Sequence, residues 1–121
     1  MQNTARVQNP YIASDPVIRS ERSIEYQAFA KVTGALAVLD RKKEADYPAL
    51  ADAVHQNRRL WNILARDVLS DDNGLPAELR ANIFSISQFV MRHSAEVLAN
   101  TGDISTLVDL NKTIMRGLEK G

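Results

Sequence analysis

The residues able to do chemistry are few. His55 and His93 are the only imidazoles and there is no cysteine. Thiolate metal sites, disulfides and cysteine nucleophiles are therefore excluded outright. The two histidines fall on different predicted helices. No HExxH pair, glycine-rich phosphate loop or serine elbow accompanies them. Ser85, Ser87 and Ser94 surround His93, but helical serines beside one histidine are commonplace and do not make an activated nucleophile. Asp71-Asp72-Asn73-Gly74 resembles the start of a calcium loop. It lacks the rest of the twelve-residue ligand pattern and its terminal glutamate, so it reads as a turn. No metal or cofactor site and no catalytic constellation is expected, which points to a binding protein rather than an enzyme.

What remains is a recognition pattern. Asn57-Arg58-Arg59-Leu60-Trp61 lies at the middle of a predicted helix over about Tyr47 to Leu69. Leu50, Val54, Trp61, Leu64 and Val68 recur at spacings of three and four, and Asn57 fills the gap in that stripe. His93 and Asn111 interrupt two other apolar stripes in the same way. A buried, unpaired polar group costs about 1 to 3 kcal/mol, so each of these needs a partner. One reading is a buried network that fixes helix register. The other is a bundle open at this end, with Arg58, Arg59 and Arg92 pairing with carboxylates of a bound peptide.

The elements that position these residues are helical throughout. Asp15-Pro16 is a start signal, and the first helix is expected to reach about Lys43, striped by Phe29, Val32, Leu36 and Leu39 with Ile18 and Tyr26 extending it. Arg41-Lys42-Lys43 reads as a cationic last turn that complements the helix dipole. Gly34 marks either a close helix crossing or a tolerated defect. Asp46 caps helix two, Asp71 to Gly74 ends it, and Pro76 opens helix three over about 76–99. Leu79, Ile83, Ile86, Val90 and Val97 stripe helix three, widened by Phe84 and Phe89. Asn100-Thr101-Gly102 ends it and Asp103 caps helix four. There Ile104, Leu107, Ile114 and Leu118 stay in register, with Val108 and Met115 broadening the face.

Nothing alternates with period two, so the fold class is all-α: a single-domain bundle of about four mainly antiparallel helices over 16–121, preceded by a short flexible N-terminal arm over 1–15. At 121 residues one core is possible but not two. Fifteen basic residues balance fifteen acidic ones. The overall field therefore attracts neither nucleic acid nor an anionic membrane. No signal peptide or membrane span is legible, which fits a cytoplasmic location.

Three segments carry a resemblance that periodicity alone does not supply: HQNRRLWNILARDV from His55, NGLPAELRANIFSISQFVMRHSAEVL from Asn73, and LVDLNKTIMRGL from Leu107. Together they resemble the FlaF family of alphaproteobacterial flagellar biosynthesis proteins. That family's pattern is an N-R-R-x-W centre, an N-x-L-P-x-x-L-R helix start, a V-x-R-H element and a closing D-x-N-x-x-I-M-x-G-L. EYQAFAKVTGAL from Glu25 fits the family's first helix more loosely, Gly34 departs from it, and nothing is transferred to residues 1 to 20.

The resemblance implies a non-enzymatic protein for flagellin production and export. It acts either as a secretion chaperone on a helical flagellin terminus or as a regulator of flagellin synthesis, alone on the messenger RNA or with a FlbT-type partner. Direct RNA binding is disfavoured by the neutral charge and the lack of a basic stripe with stacking aromatics. A homo-oligomer pairing its open faces is a third option. The expected partner anchors are Trp61, Leu64, Phe84, Phe89 and Val90, with Arg58, Arg59, Arg92 and Asn111 at the rim. The family motif adds Asn57, His93, Asp109, Met115 and Gly117 without saying which hold the bundle and which touch a partner; Trp61 is expected to be mostly structural.

Overall fold

A computed structural model describes residues 16–120, and the side-chain surroundings of residues 25–117. The expected N-terminal arm, the Asp15 cap, and the side chains of Ile18 and Leu118 lie outside these. Four helices follow in order: α1 Pro16–Arg41, α2 Tyr47–Leu69, α3 Ala77–Leu98 and α4 Ile104–Lys120. No strand occurs among the described residues.

Local chemistry explains each boundary. α1 stops two residues earlier than expected. The Lys42 amide donates to the Leu39 carbonyl in a tight turn, and its ammonium pairs with Asp46 at 3.6 Å. Asp46 then caps α2, its carboxylate accepting from the Ala49 amide at 3.2 Å, with Pro48 in the first turn. At the far end Asn73 does two jobs. Its amide group donates to the Asp67 carbonyl at 3.0 Å, and its oxygen accepts from the Leu75 amide at 3.0 Å. Arg80 reaches back from α3 to the Val68 and Ser70 carbonyls, a cation placed at the negative end of α2. Pro76 is the N-cap of α3 rather than its first residue.

α3 ends in a Schellman motif. Asn100 adopts φ 63°, its amide donates to Val97, and the Thr101 amide donates to Glu96 at 2.8 Å. The left-handed position thus falls to Asn100. Gly102 has a different reason to be glycine: a Cβ there would lie 2.9 Å from the Glu96 Cβ and 3.2 Å from the Val97 amide nitrogen.

α1 and α2 run antiparallel, as do α2 and α3. α4 folds back along α1, while α3 and α4 touch lightly despite their short connection. α2 and α4 therefore face each other diagonally and meet only through side chains in the middle. There Trp61, 1% exposed, packs edge-on against Phe29 with ring centroids 5.6 Å apart. Leu36, Val54, Leu64, Val68, Ile83, Val90, Val97 and Leu107 complete the core. Gly34 is exposed and nothing lies within 4 Å of where its Cβ would be, so it marks no close crossing.

Candidate binding groove

The polar residues set within the stripes divide into two groups. Asn57 and Asn111 belong to one buried network spanning three helices. The Trp61 indole N–H donates to Asn111 Oδ1 at 2.8 Å. Asn111 Nδ2 donates to Asn57 Oδ1 at 2.7 Å and to Thr33 Oγ1 at 3.1 Å. The Thr33 hydroxyl in turn donates to the Met115 sulfur at 3.8 Å. Asn111 thereby uses its oxygen and both amide hydrogens, and it ties α4 to α2 and α1 at a single level of the bundle.

His93 stands apart. Its Nε2 lies 2.8 Å from the Asp103 carbonyl, which only accepts, so Nε2 carries the proton. Its ring stacks on Phe89, with centroids 5.4 Å apart and planes at 14°, and Nδ1 faces Glu96 at 3.8 Å. His93 fastens the α3–α4 connection.

The residues read from sequence as partner-binding fall in different surroundings. Trp61, Leu64, Val90, Asn57 and Asn111 are all buried inside the bundle, Trp61 and the two asparagines hydrogen-bonded to one another there, so none is available to a partner without opening the core. Met115 and Phe84 are half-buried against the same core. Arg58 is not a free rim cation either: its guanidinium donates to the Met91 carbonyl at 3.1 Å, bolting α2 to α3. Phe89 and Arg92 are exposed on α3. Of the residues read from sequence as partner-binding, Arg59 lines an open cleft.

That cleft runs between α1 and α2 on the outer side of the bundle, with a volume of about 740 Å³. Its apolar floor combines small side chains, Ala28 and Ala35 on α1 and Ala49 and Ala53 on α2, with the half-buried Val32, Leu39 and Leu60. Val38 and Ile63 form its apolar lips, 48% and 38% exposed. Lys31 comes from the α1 wall, Arg59 and Asp52 from the α2 wall, and Lys42 closes one end. Neither Lys31 nor Arg59 has an ion-pair partner among the described residues. The sequence did carry a signal for this face. Alanines at 28 and 35, and at 49 and 53, repeat at spacings of seven and four, a second and weaker stripe on each helix. Thr33 was also legible, four residues after Phe29 and three before Leu36 on the inner face of α1.

Among the described residues no group of three histidines or carboxylates is placed to hold a metal ion, and no helix is long and apolar enough to cross a membrane. What the surface offers is an apolar trough with charged walls.

A family model described as "Flagellar protein FlaF" matches residues 7–118. No curated protein and no solved structure matches the chain. The chain belongs to the FlaF family of flagellar proteins.

Proposed function

We propose that this member of the FlaF family is a non-enzymatic, cytoplasmic binding protein that holds a helical terminal segment of flagellin and keeps it competent for export through the flagellar type III secretion apparatus. The observation that carries the reading is the α1/α2 cleft. It is an apolar trough outside the closed core. Flagellin termini are apolar helical segments without a packing partner until the filament assembles. A trough between two helices is a common receptor for such a segment, because a third helix completes the ridge-and-groove packing the first two leave open. Shielding the segment suppresses premature self-association.

The test is titration calorimetry of the purified protein against its cognate flagellin, first full-length and then with each terminal helix deleted. Binding is expected to vanish with one deletion and survive the other. It should also weaken by no more than a few-fold between about 50 and 200 mM salt, because apolar docking releases few counterions whereas phosphate-driven binding falls by orders of magnitude. Absence of binding at micromolar concentrations refutes the client reading. The next partner to test would then be a FlbT-type regulator with the flagellin message.

A further inference from the structure

We infer that the α1/α2 cleft selects for charge as well as for apolarity, and that its occupant is a single amphipathic helix bearing carboxylates along its flanks. Three features of the cleft lead there. The first is its length. The lining from Ala28 to Leu39 on α1 rises about 16 Å, roughly three helical turns.

The second is the apolar floor. Ala28, Ala35, Ala49 and Ala53, interspersed with Val32, Leu39 and Leu60, leave room for the larger apolar side chains of an incoming helix to pack between α1 and α2. A strand or a loop would bring unpaired backbone groups to the same apolar floor, whereas a helix satisfies its own.

The third is the charge on the walls. Lys31 and Arg59 stand on opposite walls near the Ala28–Ile63 end, and neither is neutralised by an ion pair among the described residues. Lys42 at the other end is already paired with Asp46, and Asp52 is the only carboxylate of the lining. A helix flanked by glutamate or aspartate at the Lys31–Arg59 end satisfies both free cations, and a lysine-flanked helix of the same apolar content is repelled there.

This rests on the client reading above for the identity of the natural occupant, and the experiment separates the two. The full chain is titrated by fluorescence anisotropy with two labelled synthetic helices of about 18 residues. They share one apolar face at spacings of three and four, one flanked by glutamates and the other by lysines. The glutamate-flanked helix is expected to bind about tenfold more tightly, from two exposed pairs gained and two repulsions avoided. In the K31E/R59E double variant the preference is expected to reverse. Ala35→Trp, which fills the exposed floor without touching the core, is expected to abolish binding of both helices with the melting temperature unchanged. Equal affinity for the two helices, a preference unmoved by the charge reversal, or full binding by Ala35→Trp overturns the inference. So does a concentration-dependent dimer that Ile63→Arg dissociates, since a second copy would then own the cleft.

The flagellin arm uses the same variants. Flagellin that binds the wild-type protein and Ala35→Trp equally well sinks the cleft and leaves the client reading standing. Peptides that behave as expected beside flagellin that never binds sink the client reading and leave the cleft.

Discussion

Replacing Asn111 by leucine removes the one side chain that bonds to three others across the bundle. Leucine keeps the branching at Cγ but is the larger side chain, so the change opens no cavity and adds any overpacking strain to the polar loss. It strands the Trp61 indole N–H, which has no other partner, and the Asn57 oxygen, on a residue whose Nδ2 is already without one. The Thr33 hydroxyl still donates to Met115 and loses only an incoming bond. Two newly unsatisfied groups at about 1 to 3 kcal/mol each give a loss of roughly 2 to 6 kcal/mol, a large share of the roughly 5 to 15 typical of a domain. For a chain this size that lowers the melting temperature by about 10 to 20 °C. Urea unfolding followed by far-ultraviolet circular dichroism and by fluorescence measures it, Trp61 being the only tryptophan.

A double-mutant cycle sharpens the test. Trp61→Phe removes the N–H that Asn111→Leu would otherwise strand, so the two changes together should cost less than their sum, by about 1 kcal/mol or more. A loss below about 1 kcal/mol for Asn111→Leu, or additivity within about 0.5 kcal/mol, would refute the view that the network closes the core.

Three further substitutions test the local arguments. Gly34→Ala should stabilise the protein by up to about 1 kcal/mol, since α1 gains helix propensity and the new methyl meets nothing; a loss on thermal melting would mean the position is packed. Asn100→Val should cost about 1 to 2 kcal/mol because a β-branched residue resists φ 63°, whereas Asn100→Gly should be neutral or slightly stabilising; equal losses in both would point to the side chain rather than the backbone. Gly102→Ala should destabilise by about 1 to 3 kcal/mol as the α3–α4 connection is pushed off Glu96 and Val97, read out as earlier hydrogen exchange of the Ile104 to Leu107 amides than of α2.

The turns were the most legible part of the chain because their chemistry is local. Asp46 capping α2 and Asn73 turning the chain into α3 each act within six residues. The polar gaps were legible too: Asn57 and Asn111 stood in apolar register, and they are bonded to each other. Which faces meet was not legible. Periodicity identifies the inner side of each helix, yet it does not say that α4 lies along α1 rather than along α3, its neighbour in sequence. For the same reason His93, equally in register, was grouped with two residues it does not touch. The cleft escaped for a different reason. Apolar stripes are weighted by side-chain size, so they point to Trp61 and Phe89, whereas a receptor for another helix is a place where size is missing. The alanines that make it possible are the least conspicuous apolar residues in the sequence.

The ties between Thr33 and α4 reach across 78 residues to Asn111 and across 82 to Met115, and this sets the order in which the protein can form. Contacts this distant in sequence must wait for the intervening chain to be made and brought round, so α4 completes the interior only after α1, α2 and α3 have been made. Until then the indole of Trp61 has its aromatic neighbour but no acceptor, and the inner side of α1 is uncovered. A chain halted before Ile104 lacks the Asn111 acceptor for the indole and the helix that covers the inner side of α1.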